Sequence, residues 1–480
     1  MTEQWNRIRI AVCSHRMPSP TTMKSINLRP ATLAVGGQRI HYAWVIVIVA
    51  AAMRLSSSAV RTSFPILVPR MMEAFGWTYG QVGGGLALQW TFSGLFGPSA
   101  GWLGDRYGVR RVMAAGAVIF LVSMVLTSRM THLWQFYLFY GVFLSASMAI
   151  FQIPLLAAVT LWFRKHLGVG MGILQSSQGV GPLVFVPLVL LIIHLFGGGV
   201  SGLRAAFWIT GIGGGILILL LIRLFYNEPA QAGMRPLGAS PDEPIQPMQE
   251  PKVARLRTKF FMRRAQRTSA FWNLIGIHFW GCSGHAIIMA FLPAMAEARG
   301  LSQELAAGLF VVLSVVSTIT RFGVPIAADR LGSKWVMAAC FFLQVAPMFI
   351  LFFAHDAWLF YLFAALFGIG FGGEMTAFPI INRQYYGSAP IGTTYGWQMM
   401  GAGIGMAVGA YAGGLLWDLT GDFDYTVALS LLLSLIGVAS IMFLPGTHRH
   451  QLPDWEDSLP PEYRTVPAGS PTPEIEAIGG

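Results

Sequence analysis

The sequence predicts an all-α integral membrane protein with twelve transmembrane helices in two pseudo-symmetric bundles of six. Three observations predict this fold class. The composition is more apolar than a soluble protein needs, long apolar runs recur along the chain, and the second half repeats the first. Together they exclude a soluble globular protein.

The composition alone requires a lipid-facing surface. Of the 480 residues, 54% are hydrophobic and 11% are charged, and the mean hydropathy is +0.58. Soluble domains carry about 25% charged residues, so the apolar surplus is expected to face lipid. Twelve spans of about 20 residues need roughly 240 positions, which the chain supplies easily. Disordered, collagen-like and disulfide-scaffold proteins are excluded by the same composition.

Twelve apolar runs, called spans 1 to 12 here, define the domain organisation. The first six lie at about 42–64, 80–103, 109–128, 134–159, 168–196 and 203–226, and the second six at about 271–293, 304–328, 334–354, 358–383, 391–418 and 423–445. Six prolines between positions 229 and 251 predict a linker rather than a span. We therefore expect an N-terminal tail (1–41), a first bundle (42–226), a linker (227–269), a second bundle (270–446) and a disordered tail (447–480).

An internal repeat relates the two sets of spans. At an offset of 224 residues, the Asp-Arg-x-Gly motif at 105–108 recurs at 329–332, and the tetrapeptide Val-Met-Ala-Ala at 112–115 recurs at 336–339. Glycines follow the same register: Gly172, Gly179 and Gly181 fall on Gly396, Gly403 and Gly405. Shared apolar composition does not produce such matches in one register. The sequence therefore indicates a duplicated six-helix unit.

The positive charge is concentrated beside the membrane segments. The net charge is +11, with six basic residues and one acidic residue before span 1, and seven basic residues at 252–267. Such clusters mark the cytoplasmic side of a membrane protein. We expect a plasma (inner) membrane protein with both termini and the linker in the cytoplasm, and no nucleic-acid partner. The stretch 252–267 is expected to lie on the anionic inner leaflet.

The loop after span 2 carries a family resemblance. Residues 101–111 read Gly-Trp-Leu-Gly-Asp-Arg-Tyr-Gly-Val-Arg-Arg, which resembles the cytoplasmic loop signature of the major facilitator superfamily, and a degenerate copy follows at 328–334. The resemblance implies two six-helix bundles around a central cavity. It also implies a loop that takes part in gating, with these candidate residues: Gly101, Asp105, Arg106, Gly108, Arg110, Arg111, Asp329 and Arg330.

Within that superfamily, the chain is most similar to the monocarboxylate transporter and oxalate–formate exchanger group. The similar segments are Phe-Gly-Trp-Thr at 75–78, Gly-Gly-Glu at 372–374 and Tyr-Tyr-Gly at 385–387. The arginine that this group has in span 8 matches Arg321. The aspartate of the animal transporters falls at Ser317, and the exchanger's span 11 lysine has no counterpart. The resemblance implies a small monocarboxylate or related organic anion as substrate, and leaves the coupling ion open.

Ionisable residues inside the spans are candidates for the substrate site, because charges are costly at mid-bilayer and usually line a cavity or pair. Arg321 lies eight residues before Asp329, or roughly 12 Å deep along a helix, and its planar fork suits a carboxylate. The alternative for Arg321 is a structural ion pair, for which Glu374 is available. The further substrate-site candidates are Arg54, Arg61, Gln89, His278 and His285.

Some of these candidates have equally plausible structural roles. Arg54 and Arg61 lie seven residues apart on one helix face, and the repeat places them opposite His278 and His285. Arg61 could instead extend to the membrane surface, and both histidines could be packed and hydrogen-bonded. Glu374 is the one acid deep in a predicted span. In low dielectric it can carry a proton for coupling, or it can form a permanent salt bridge to an arginine.

The prediction is therefore a secondary active transporter that moves a small anion by alternating access, proton-coupled or exchanging, and acting as a monomer. An exporter of drugs or neutral solutes is the alternative within transport, and a non-transporting membrane sensor is the alternative from another class. The sequence shows no catalytic constellation, no phosphate-binding loop and no metal cluster among the histidines. We predict no enzyme activity, no cofactor and no metal.

Overall fold

The computed structural model describes residues 33–35, 38–240, 242–243, 245, 251–387, 389–447, 450–460 and 463–464. Residues 1–40 form a unit of their own, in which Leu33–Val35 pairs antiparallel with Gln38–Ile40. Most of the predicted N-terminal tail and of the C-terminal tail beyond 460 lies outside the described residues. From His41 onward, the chain forms a second, all-helical unit.

The first six spans occupy the helices up to Leu224. Their bounds are Tyr42–Phe75 (span 1), Tyr79–Leu95 with Gly97–Tyr107 (span 2), Val109–Ser128 (span 3), Leu133–Phe136 with the π-helix Tyr137–Phe143 and Leu144–Leu161 (span 4), Leu167–Leu195 (span 5), and Gly199–Leu221 with the 3-10 turn Ile222–Leu224 (span 6).

The second six spans follow the linker, which contains the 3-10 turn Pro229–Ala232 and one helix, Pro251–Ala265 (the linker helix). Their bounds are Ser269–Ala298 (span 7), Gln303–Leu331 (span 8), Ser333–Val345 with Met348–Phe353 (span 9), Ala357–Glu374 with Phe378–Tyr386 (span 10), Gly392–Thr420 (span 11) and Phe423–Met442 (span 12). The domain bounds at 42, 226, 270 and 446 stay predictions.

The described part of the chain contains eleven helices that are long and apolar enough to cross a membrane. The twelfth predicted span, span 2, is divided at Phe96 into segments of 17 and 11 residues. Proline at position 98 has no N–H, so the carbonyl of Gly94 loses its helical partner there. Span 10 is divided in the same way after Glu374, where Pro379 opens the next segment. The predicted all-α fold class with twelve helical spans is confirmed.

The glycines of span 11 allow close helix packing. Gly401, Gly405 and Gly409 lie directly against the backbone carbonyls of Ile275, Phe279 and Ser283 in span 7, so that any side chain at these positions would overlap them. The four-residue spacing on both helices keeps the two backbones in contact along several turns. These three glycines therefore serve the close packing between spans 7 and 11.

The tail beyond 447 was expected to be disordered, and this expectation is wrong for its described part. A 3-10 turn, Trp455–Ser458, packs on the linker helix. The Trp455 ring is 4% exposed and lies 5.3 Å from the Phe261 ring, and Arg257 forms an ion pair with Glu456. A few apolar anchors in a polar, proline-bearing segment are enough to hold it against the linker helix.

Candidate functional site

Arg54 is buried in span 1 at mid-depth. It lies 12 residues after the start of the helix at Tyr42, roughly 18 Å along the axis. The side chain is 4% exposed, and its guanidinium donates to the Gln175 side-chain oxygen in span 5. It also interacts electrostatically with Arg321 and Tyr395 of the second half. Arg54 therefore brings positive charge to the interface between the two halves.

Arg61 lies two turns further along span 1 and is partly buried. Its Nε donates to the Gln89 side-chain oxygen in span 2 at 2.8 Å, and its guanidinium carbon lies 4.1 Å from the centre of the Trp90 ring. These contacts hold Arg61 inside the bundle rather than at the membrane surface, which was the alternative open at the sequence level. They also place Gln89, another predicted site residue, as the direct partner of Arg61.

Arg321 lies in span 8, ten residues before the helix ends at Leu331, or roughly 15 Å from that end. Its Nε lies 3.2 Å from the Ser317 hydroxyl, the position where the related transporters carry an aspartate. The guanidinium carbon lies 5.4 Å from the centre of the Phe371 ring in span 10. Hence a small hydroxyl and an aromatic face surround this cation.

The described residues give none of these three arginines a carboxylate within 4.0 Å. The suggested ion pair between Arg321 and Glu374 is therefore absent, although the two charges interact electrostatically at longer range. Leaving a buried cation without a counter-ion is costly. An anionic ligand is the chemical group that this arrangement accommodates best.

Glu374 pairs with a histidine instead of an arginine. Its Oε2 lies 2.7 Å from His285 Nδ1 in span 7, and both side chains are fully buried. Glu374 is also the last residue of its helix, where the helix dipole disfavours negative charge. The permanent salt bridge to an arginine, which was one of the two alternatives for Glu374, is not formed within the described part of the chain, where the carboxylate contacts a histidine of span 7 instead.

Cys282 completes a buried cluster with this pair. The ligand atoms of Cys282, His285 and Glu374 all lie within 4.8 Å of one another, which is close enough for a shared metal ion. The sequence predicted no metal cluster among the histidines, and Glu374 comes from a different helix, 89 residues after His285. The direct His285–Glu374 contact engages one potential ligand atom of each residue.

His278 does not join the arginines directly. Its imidazole is fully buried and stacks on the Phe378 ring, with the Tyr395 ring 6.4 Å away. The alternative role for both histidines was a packed and hydrogen-bonded imidazole. His278 is packed, but neither of its ring nitrogens has a hydrogen-bond partner among the described residues. Tyr395 also interacts electrostatically with Arg54.

The two signature loops contact opposite halves of the molecule. Asp105 Oδ2 accepts hydrogen bonds from the Thr393 backbone N–H and hydroxyl, both at 2.7 Å, at the start of span 11. Asp329 Oδ2 accepts from the Gly168 N–H at 3.0 Å, at the start of span 5. Each aspartate thus caps the N-terminus of a helix from the other half, where the helix dipole favours an anion.

The repeat relates these two contacts to each other. The offset of 224 carries Asp105 to Asp329 and Gly168 to Gly392, the first residue of span 11. Gly101 lies directly against the Gly392 carbonyl, and Gly168 lies directly against the Pro325 carbonyl, which is the symmetric counterpart. We call the end of the molecule that carries these loops and the linker the linker end. Two contacts related by the internal repeat close it.

The other predicted loop residues surround this contact. Gly108 has φ +83°, and its copy Gly332 has φ +89°, a region that strains other residues. The guanidinium of Arg106 lies over the Trp102 and Tyr107 rings, and the Arg110 backbone N–H donates to Asn227 at 2.7 Å. Arg111 and Arg330 are exposed. Neither arginine stands in an ion pair within the described part of the chain.

Sequence reasoning missed Arg383, Thr393 and Tyr395. Arg383 donates to the Thr160 hydroxyl of span 4 at 2.8 Å and to the carbonyls of Gly387 and Ala389, so it also joins the two halves at the linker end. An arginine within the apolar run of span 10 was the available signal for Arg383. No signal marked Thr393 or Tyr395, whose roles depend on partners almost 300 residues away or more.

Replacing Asp105 tests the closing contact. In Asp105→Asn, the charge that caps span 11 is lost, and we expect the linker end to open more often. Loss of charge assistance in two hydrogen bonds weakens the closed state by about 1–2 kcal/mol, or about 5- to 30-fold in population. A cysteine in place of Thr394, which is fully buried at this end, should then react faster with a water-soluble maleimide.

Two further variants make the Asp105 result interpretable. Asp329→Asn should act in the same direction but more weakly, since Asp329 accepts one described hydrogen bond and Asp105 accepts two. Asp418→Asn, at an exposed position at the other end of span 11, should leave labelling unchanged. Unchanged labelling in Asp105→Asn, together with weaker substrate binding, would contradict the gating role.

Comparisons with known proteins agree with this architecture. The profile of the Major Facilitator Superfamily matches residues 46–327 and 284–472. The MFS transporter asaE of Aspergillus flavus is 26% identical over 359 residues, covering 74% of this chain and 75% of that protein. The oxalate:formate antiporter of Oxalobacter formigenes is 23% identical over 384 residues, covering 76% and 84%.

A solved structure shares the fold. The proton:xylose symporter XylE superposes with a TM-score of 0.67 at 13% identity, over 87% of this chain and 98% of that one. At this identity, the likeness concerns the fold alone. Because the family profile spans both sets of six helices, the chain belongs to the Major Facilitator Superfamily and is a multi-pass membrane transporter for a small molecule.

Proposed function

We propose that the protein is a secondary active transporter of a small monocarboxylate or related organic anion. It works by alternating access in the plasma (inner) membrane, with its termini and linker in the cytoplasm. The proposal places the substrate between Arg54 and Arg321, with Arg61 and Gln89 extending the positive lining. His278 shapes the site through Tyr395, and Glu374 with His285 couples the movement to protons.

The observation that carries the proposal is a pair of arginines that have no carboxylate within 4.0 Å among the described residues. Arg54 and Arg321 come from different halves and lie at similar depths, roughly 18 Å and 15 Å from the linker end by helical rise. Their like charges repel across the interface. A carboxylate between them replaces repulsion with two charge-assisted interactions, and an arginine fork can bind it through two parallel hydrogen bonds.

The closed linker end supports an alternating-access mechanism. Asp105 and Asp329 connect the two halves at this end by capping helices of the opposite half. In the proposed mechanism, these hydrogen bonds break when the halves move apart as rigid bodies. An anion that bridges Arg54 and Arg321 draws the two halves together at mid-depth, so binding energy can drive the exchange between states. The similarity to an oxalate:formate antiporter supports a carboxylate as the substrate class.

Uptake into proteoliposomes tests the substrate class. We expect at least one of radiolabelled lactate, formate and oxalate to accumulate, and we expect lactamide not to accumulate. Lactamide is the matched control, since it keeps the shape of lactate and lacks the charge. Measurements with and without an inward proton gradient separate symport from exchange. Equal uptake of lactamide, or uptake of xylose and no carboxylate, would favour the neutral-solute alternative and contradict the proposal.

A further inference from the structure

A cavity of about 420 Å³ lies at the linker end, outside the substrate site. Volumes of about 300–1,000 Å³ are typical of small-molecule sites. Its walls come from the end of span 2, the linker helix and the start of span 11, and the principal lining residues are Trp102, Arg106, Arg255, Thr258, Lys259 and Arg263. The cavity therefore touches both halves of the protein and the linker that joins them.

The cavity is strongly basic. Four of its lining residues are arginine or lysine, and none is acidic. Within the described residues, none of these four cations has a carboxylate within 4.0 Å. Arg106 and Arg255 both lie over the Tyr107 ring, at 5.1 Å and 5.4 Å from its centre, so two like charges share this part of the wall. An anionic group in this space would relieve their repulsion.

A polar group without a partner also faces this space. Thr258 lines the cavity and is 4% exposed, and its hydroxyl has no hydrogen-bond partner within the described structure. A buried hydroxyl without a partner is costly, so a missing ligand atom is the simplest explanation. Arginine, lysine and hydroxyl groups together are typical donors for phosphate oxygens.

The remaining walls combine apolar side chains with the polar Gln266 and Thr393. Trp102, Met262 and Trp397 line the cavity, and Trp102 is 40% exposed on the outer side of span 2. Tryptophans are common where a membrane protein passes from hydrocarbon to headgroups. The ligand therefore has a charged part and an apolar part, and it reaches the cavity from the level of the lipid headgroups.

We propose that this cavity binds the headgroup of an anionic phospholipid. The phosphate lies among Arg255, Lys259 and the Thr258 hydroxyl, and the apolar part follows Trp102 and Met262. Basic pockets beside transmembrane helices suit such headgroups. Because the bound lipid contacts spans 2 and 11 and the linker helix at once, it holds the linker end of the molecule together.

Native mass spectrometry of the purified full chain in detergent tests this site. Dioleoyl-phosphatidylglycerol should bind in a saturable one-to-one fashion, and dioleoyl-phosphatidylcholine should not. In Arg255→Gln/Lys259→Gln, the affinity for phosphatidylglycerol should fall about 30-fold, since two cations near the phosphate are lost. Lys252→Gln/Arg264→Gln removes the same charge from the linker helix outside the cavity lining and should change the affinity less than threefold.

Thermal unfolding gives a second readout. Phosphatidylglycerol should raise the unfolding temperature of the wild type and of the Lys252/Arg264 variant, and should not raise that of the Arg255/Lys259 variant. Equal loss of affinity in both double variants would mean unspecific attraction and would overturn the proposal. Saturable binding of glycerol 3-phosphate with the affinity of the lipid would overturn it as well, because the ligand would then be a soluble phosphate.

Discussion

Arg321→Lys should weaken the apparent affinity for the transported carboxylate by about 10- to 100-fold while the protein stays folded. Lysine keeps the positive charge but loses the planar fork, so one of two parallel hydrogen bonds to the carboxylate is lost. Hydrogen bonds to charged groups contribute about 1.5–3 kcal/mol, and each 1.4 kcal/mol is a factor of ten. Concentration-dependent uptake into proteoliposomes measures the change.

Two companion variants complete this test. Arg321→Ala removes the charge and should abolish saturable uptake, because Ser317 and Phe371 are the described contacts of this side chain and neither can hold a carboxylate. Arg129→Lys makes the same chemical change at an exposed loop position and should behave like the wild type. Normal transport by a well-folded Arg321→Ala protein would remove Arg321 from the substrate site.

Glu374→Gln should abolish pH-driven accumulation and leave substrate exchange intact. Exchange needs no net proton movement, whereas accumulation needs a group that binds and releases a proton in each cycle. Glu374 and His285 are the groups proposed for this role, because both side chains are fully buried and the carboxylate contacts a histidine, which can exchange a proton with it, rather than an arginine.

The measurement compares pH-driven uptake with counterflow on the same reconstituted sample. His285→Gln removes the partner of Glu374, and we expect it to impair accumulation too. His355→Gln is the matched control, because it makes the same chemical change at an exposed position in the loop between spans 9 and 10. Equal retention of uptake and counterflow in Glu374→Gln would exclude Glu374 from coupling. Loss of both in a well-folded protein would mean a role in substrate binding instead.

The fold class, the twelve spans and the internal repeat could all be predicted from the amino-acid sequence. These features depend on hydropathy and on register along one chain, and both can be read without knowing which helices touch. The sequence also marked the signature loops and the depth of Arg54 and Arg321, because helical rise converts residue spacing into distance. The family profile and the fold comparison confirm the resemblance on which the transporter assignment depends.

The partners of the buried charged side chains could not be predicted from the sequence, because they depend on how the helices pack. Glu374 contacts His285 rather than Arg321, at the point where span 10 breaks. A proline in the sequence can predict such a break, but it does not predict which neighbouring helix the carboxylate will contact. Arg61 stays inside the bundle because Gln89 and Trp90 of another span hold it. Partners of this kind lie tens to hundreds of residues apart in sequence, and helix packing alone brings them within hydrogen-bond distance.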